Sequence, residues 1–214
     1  VWTDALLAER YARRAFELLP PEVSALLLPT LSYGKSNEHT GYAGTIALSA
    51  ATLMAVLRDI AAAVAGSGFT LLLFLNTHGG NKAVLEIMCR DLRAEYGLLC
   101  FMAQGQHDTS KLPDIEKRFG IHANTAETAL LLHLAPELVK TPLPAAHYPA
   151  PLSQNFNLTF PPQVGWLTRD WSMDGYFGDP SAATATDGAE WFEQIAASIA
   201  VQIIEASTFQ VANE

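Results

Sequence analysis

The sequence predicts an α/β fold built on a mostly parallel sheet. Short apolar runs alternate with helical patterns at the spacing of β–α–β units. The clearest of these runs, Phe69 to Leu75, is nearly continuous rather than alternating, as in strands covered on both faces. A chain of 214 residues is long enough for one domain with a full core, so a single domain over 1–214 is expected.

The elements follow in order. Ala5 to Leu19 reads as a helix, with Leu6, Leu7, Tyr11, Ala15 and Phe16 as its apolar set and Asp4 as its N-cap. Pro20-Pro21 ends it. Val23 to Leu28 reads as a short strand closed by Pro29, and Leu31 to Thr45 as a long polar loop of the kind that carries function. Ser49 to Ala65 is an Ala/Leu/Val-rich helix stopped by Gly66-Ser67-Gly68. Phe69 to Leu75 is a buried strand, Lys82 to Tyr96 a helix capped by Gly97, and Leu98 to Ala103 a further strand. Gln104 to Gly120 is polar and irregular, and Asn124 to Leu134 is a helix ending near Pro136. Pro142 to Asp187 is rich in Pro, Gly and Trp and reads as a surface excursion, a lid or a subunit interface. A final amphipathic helix runs from Asp187 to about Phe209.

Composition excludes several classes. With 50% hydrophobic and 16% charged residues the chain is globular, not disordered. The net charge of -9 argues against nucleic acid or an anionic membrane surface as the main partner. No apolar run approaches the length of a membrane span, and the N-terminal stretch lacks a signal-peptide core. Cys89 and Cys100 form neither a disulfide framework nor a zinc ribbon. As reduced core residues they fit a cytoplasmic protein.

The chemistry concentrates where the apolar strand stops, at Asn76-Thr77-His78-Gly79-Gly80-Asn81. Open α/β sheets keep their active sites at such strand ends. A histidine there is a metal ligand or an acid/base, and the glycines let a second group come close. Asp4 at a helix start and Glu127 in Ile121-His122-Ala123-Asn124-Thr125-Ala126-Glu127-Thr128 supply two carboxylates. A carboxylate, an imidazole and a second carboxylate can bind a divalent metal such as zinc, which acidifies water and polarises a carbonyl. Each residue also has a plain reading. Asp4 is a good N-cap, and Glu127 lies three residues after Asn124 in a capping-box pattern. His122 fits a core histidine, an orienting group or a general acid/base, and His133 with Glu137 a surface pair. Gly34-Lys35-Ser36 has Pro29 where a P-loop needs its first glycine. No G-x-S-x-G and no G-x-G-x-x-G occurs, and Asn157-Leu158-Thr159 matches a glycosylation sequon by chance.

These pieces together resemble the creatininase (creatinine amidohydrolase) family over essentially the whole chain. Thr3-Asp4, Tyr33-Gly34-Lys35-Ser36-Asn37-Glu38-His39 with Gly44-Thr45, Asn76 to Asn81, His122-Ala123-Asn124 with Glu127-Thr128, Leu134 to Val139, and Asp174 to Pro180 stand in the family's order. The resemblance implies a three-layer α/β/α fold and a site for two divalent metals, zinc first, with manganese or iron as alternatives. It implies Asp4 as the bridging ligand, His78 and Glu127 as further ligands, and His39 and His122 as catalytic groups near the substrate. Glu38, Gly79, Gly80, Asn81, Trp166 and Trp171 are the expected substrate-binding residues.

The implied activity is metal-dependent hydrolysis of a C–N bond in a small cyclic amide or formamide. The alternatives are hydrolysis of a cyclic ketone or sugar derivative, or an inactive relative kept as a binding subunit. A homo-oligomer, a hexamer by resemblance, is implied as well. The family also uses a Glu-x-His pair from a strand and loop just before the Asp4 position. The sequence opens at Val1 with no such pair, so a missing N-terminal strand is expected, with cleavage or loss of full metal binding as alternatives. Thr77, Asn124 and Ala129 replace the family's Gly, Gly and Ser. Gly79-Gly80 stands where creatininase proper has a glutamate, so creatinine is not the expected substrate.

Overall fold

A computed structural model describes residues 2–149 and 155–211. The chain forms two compact units. The first takes Val1–Ser36, Ile46–Gln106 and Glu193–Glu214, and the second takes Asn37–Thr45 and His107–Phe192. Part of the predicted Pro142–Asp187 excursion, residues 150–154, lies outside the described residues.

The first unit opens with α1 (Thr3–Glu17), which buries Leu6, Leu7, Tyr11, Ala12 and Ala15. Trp2, not Asp4, holds the N-cap position, without a side-chain bond. Asp4 sits inside the first turn, where a carboxylate still complements the positive end of the helix. Helix α2 (Ala50–Gly66) starts as predicted, its Ser49 cap accepting from Thr52 N at 3.0 Å. Then come β1 (Leu71–Leu75), α3 (Lys82–Tyr96) and β2 (Leu99–Ala103), with Gly97 closing α3 at φ 72°. A left-handed residue of this kind is what a helix C-terminus needs, and glycine supplies it without strain.

Strands β1 and β2 are parallel, with Leu72 opposite Cys100 and Phe74 opposite Met102. That register puts all four side chains on one face. They pack against a core of Leu53, Leu57 and Ala61 from α2, Val84, Leu85, Met88 and Leu92 from α3, and Leu98. On the other face Phe101 meets Phe209 edge-on at 5.4 Å. A Cβ on Gly105, just past β2, would lie 2.4 Å from Ile195 Cγ2.

The second unit holds α4 (Asp114–Phe119) and α5 (Thr125–Leu134), and the last helix, α6 (Ala185–Thr208), begins in it and ends in the first. Asn124 caps α5 by accepting from Glu127 N at 2.8 Å. Gly188 of α6 allows close backbone contact with α5, since a Cβ there would lie 1.9 Å from Ala129 O. Isolated antiparallel bridges pair His122 with Phe177 and His147 with Gly178.

Further expectations change. Val23 to Leu28 is no strand: residues 24–33 make no backbone–backbone hydrogen bond to another described residue, and Leu26 is 73% exposed. Apolar β-branched and leucine-rich composition marks strand potential, but a strand exists only beside a partner ladder. The irregular stretch before Gly120 contains α4, too short for its periodicity to show. The sheet, among the described residues, has two strands. The polar loop from Leu31 carries a 3-10 turn at Asn37–His39.

No helix of the described residues is long and apolar enough to cross a membrane. Both cysteines are free and half-buried. Burial pushes the Cys100 thiol up to about 11, with Cys89 adding to the effect, and burial raises Cys89 too. Both therefore stay protonated at neutral pH and serve as small apolar groups.

Truncating Leu92, fully buried between α3 and the sheet, creates a cavity. Leu92→Ala is expected to cost about 2–5 kcal/mol in urea unfolding, whereas a surface change at Ile87 on the same helix costs little. At pH 7, a thiol reagent is expected to label Cys100 in the folded protein at least about tenfold more slowly than in the urea-unfolded chain, because the thiolate is scarcer. Equal rates would contradict the raised titration.

Candidate functional site

In the first unit the site is built where β1 stops. The turn is held by side-chain amides rather than by the glycines. Asn76 accepts from His78 N at 3.3 Å and donates to His78 O at 2.9 Å. Asn81 donates to Asn76 Oδ1 at 3.2 Å and accepts from Lys35 N at 2.8 Å. A Cβ on Gly34 would fall 2.6 Å from Asn81 Oδ1, so glycine is required there for the two loops to meet. Thr77 Oγ1 donates to the Asp4 carbonyl at 2.9 Å and ties the strand end to α1.

His78 is fixed at both ring nitrogens. Nε2 lies 3.2 Å from the Lys35 carbonyl, and Nδ1 lies 3.2 Å from Asp4 Oδ2. A carbonyl oxygen can only accept, so Nε2 carries the proton. The Nδ1 lone pair of a neutral ring then faces a carboxylate. Two acceptors face each other in that way only when a cation is shared between them, either a second ring proton or a metal. Ligand atoms about 2.1 Å from zinc stand about 3.2 Å apart at an angle of about 100°, near the tetrahedral value. The separation of Asp4 Oδ2 and His78 Nδ1 matches that spacing. The pair therefore fits two vertices of a metal site. Among the described residues no group of three or more His, Cys, Asp or Glu side chains is gathered to complete one. Gly79 leaves open space, since a Cβ there would meet nothing within 4 Å.

The second unit gathers the other candidates. His39 and His122 lie ring to ring in a tilted arrangement, with centroids 4.2 Å apart and planes inclined by 34°. His39 Nδ1 is 2.7 Å from Thr168 Oγ1, and Thr168 is fully buried. His122 is held through its backbone, donating to and accepting from Phe177 at 3.3 and 2.8 Å. Glu127 Oε2 accepts from Ala123 N, so its carboxylate reaches back past the cap of α5. Ala123 has φ 49°, a left-handed conformation that alanine adopts only under constraint. Glu38 shares the Asn37–His39 turn with His39.

Trp166 donates from Nε1 to Leu158 O at 2.8 Å and stands edge-on to Phe177 at 5.9 Å. Trp171 accepts at its carbonyl from His147 Nε2 at 2.9 Å, while its own Nε1 is buried without a partner among the described residues. The unit thus brings His39, His122 and Glu127 into one neighbourhood and gives Trp166 a packing role against Phe177. Sequence reading did not single out Thr168, the Lys35 carbonyl or the amide roles of Asn76 and Asn81. A main-chain acceptor leaves no trace in residue type, whereas the paired asparagines flanking a histidine were a usable signal.

The creatinine amidohydrolase (Creatininase) family model matches residues 1–203. A mycofactocin precursor peptide peptidase of Mycobacterium ulcerans is 34% identical over 170 residues, covering 79% of this chain and 62% of that protein. The chain thus spans less than two thirds of that relative's length. A creatinine amidohydrolase of Pseudomonas putida is 30% identical over 179 residues, 74% of this chain and 64% of that one. A candidate creatinine amidohydrolase of Bacteroides fragilis superposes with a TM-score of 0.79 at 26% identity, over 99% of this chain and 84% of that one. Solved creatininase structures of the same fold, at TM-scores of 0.72 and 0.73, include a manganese form and a zinc–zinc form. The family match along nearly the whole chain establishes that this chain belongs to the creatininase family.

Proposed function

We propose that the protein hydrolyses an amide C–N bond with the help of a divalent metal. The observation that supports this most is the Asp4–His78 pair: Nε2 is anchored on a carbonyl, and Nδ1 faces a carboxylate at a metal-like separation of 3.2 Å. Asp4 and His78 would hold the ion. Zinc is the first choice for one imidazole with carboxylates, and manganese the second. When bound, the metal supplies Lewis acidity toward a carbonyl and toward water.

The chain's own residues then have defined work. The Lys35 carbonyl and Asn76 hold the His78 ring and backbone, so its Nδ1 does not swing away. His39 is held by Thr168 and lies against the His122 ring. Such a pair suits the relay of one proton. Gly79 leaves the approach to His78 open to a main-chain-sized group.

For the substrate, the 34% relative named as a peptidase supports a peptide amide over a small cyclic one. The Pseudomonas putida relative supports a cyclic amide as the second reading. Both reactions use the same carbonyl chemistry and differ in the size of group admitted.

Two experiments test this. Full-length protein loaded with zinc or manganese, given a panel of short peptides and a panel of cyclic amides, is expected to release new amino groups from a peptide. Turnover of cyclic amides alone would select the second reading, and turnover of neither would end the proposal. In His78→Ala, bound metal measured by atomic emission is expected to drop at least about tenfold, with hydrolysis lost in parallel. Asp4→Asn, which keeps shape but removes charge, is expected to act in the same direction. Metal content equal to wild type in both variants removes Asp4 and His78 from the ligand set.

A further inference from the structure

The second unit contains a buried carboxylate that the chemistry above does not use. Glu116 on α4 is 2% exposed. Its Oε1 accepts from Thr125 N and from Thr125 Oγ1, both at 2.7 Å. Its Oε2 accepts from Asp179 N at 3.1 Å. The Tyr148 hydroxyl donates to it as well, and burial, with this bond next, pushes the tyrosine's titration well up. Among the described residues no Lys, Arg or His pairs with it. A buried carboxyl with no cation beside it needs several donors fixed around it. Here the donors include the first turn of α5.

The donors matter for what they carry. Thr125 opens α5, two residues before Glu127. Asp179 follows Phe177 and Gly178, whose backbones pair with His122 and His147. One carboxylate therefore grips both backbone segments that frame His122: the start of α5 on one side and the Phe177 bridge on the other. Two glycines make room for it. A Cβ on Gly120 would lie 2.7 Å from Glu116 Cδ, and one on Gly178 would lie 3.0 Å from Glu116 Oε1 and 2.7 Å from Asn124 Cβ. Gly178 also has φ 142°, which a side chain rarely permits.

We infer that Glu116 is a positioning residue: by holding Thr125 and Asp179 together it sets where His122 and Glu127 stand. The link to catalysis rests on the hydrolase reading, but the positioning itself does not. Glutamine is nearly isosteric, yet its Nε2 would turn a donor toward a donor at Asp179 N or Thr125 N. In Glu116→Gln the full-length protein is expected to keep its far-UV circular dichroism. The ring C–H resonances of His122 are expected to move, and kcat on the peptide panel to fall about tenfold or more with KM within about twofold. Thr125→Val, which removes the hydroxyl's contacts with Glu116 Oε1 and with the Asp179 carbonyl but spares the backbone bond to Glu116, is the second variant and is expected to move the same resonances less.

A Glu116→Gln protein with wild-type kcat and unshifted His122 resonances overturns the inference. Should Glu116→Gln fail to fold, unshifted His122 resonances in Thr125→Val overturn it instead. Shifted resonances in a protein whose wild type hydrolyses no amide would sink the hydrolase reading and leave the positioning role standing.

Discussion

The bond between His78 Nε2 and the Lys35 carbonyl is the constraint on which the first unit's chemistry depends. It decides which nitrogen faces Asp4, and so decides that the Asp4–His78 contact wants a cation rather than a shared neutral hydrogen bond. Everything nearby serves that geometry. β1 delivers His78, Asn76 closes the turn on the histidine's own backbone, and Asn81 pins the Lys35 loop to the turn. The Lys35 backbone is thus fixed at its N–H by Asn81 and at its carbonyl by His78. Removing the carbonyl's register would let the ring choose the other tautomer, and the two acceptors would no longer be forced together.

The second unit solves a related problem with the signs reversed. It must hold carboxylates, not a ring, and it does so with backbone donors. Glu127 takes Ala123 N, Asn124 takes Glu127 N, and Glu116 takes Thr125 N and Asp179 N. The left-handed Ala123 is the turn that makes this possible: it folds the chain sharply between His122 and the cap, so that Glu127 can reach back. A strained residue between two candidate functional groups is the usual place to store conformational energy, and the surrounding hydrogen bonds hold it there.

Much of this was legible in the sequence wherever a local rule governed. Ser49 and Asn124 cap helices as their residue types suggest, Gly97 takes the left-handed C-terminal position, and the Phe69–Leu75 run becomes a strand. Asn81 was singled out as a substrate-binding residue and Glu127 as a metal ligand; in the fold Asn81 accepts from Lys35 N and Glu127 from Ala123 N. The failures are non-local. Val23–Leu28 has strand composition, but strand identity belongs to a pair, and no described residue pairs with it. Glu116 looks like one more charge in the helical run Asp114-Ile115-Glu116-Lys117-Arg118, between exposed neighbours. Only the fold shows that it points inward, toward donors up to 63 positions away along the chain. Burial of a charge is set by what packs on it, and sequence pattern carries no record of that.

The departures from the family pattern now have a physical meaning. The resemblance to the family places glycine where this chain has Thr77 and Asn124. Glycine has no side chain to donate or accept. Thr77 Oγ1 bonds the Asp4 carbonyl, and Asn124 bonds both Glu127 N and the Gly120 carbonyl. Each replacement therefore adds a hydrogen bond next to a candidate ligand, Asp4 in one case and Glu127 in the other. A substitution that altered substrate choice would place new atoms in the open space beside Gly79, where nothing lies within 4 Å of an added Cβ. These two instead stiffen the supports behind the carboxylates. Such stiffening lowers the cost of holding a carboxylate in one orientation, because the conformational freedom is already spent on folding. On the proposed reading, Thr77 and Asn124 support Asp4 and Glu127 from behind and leave the types of the candidate ligands unchanged.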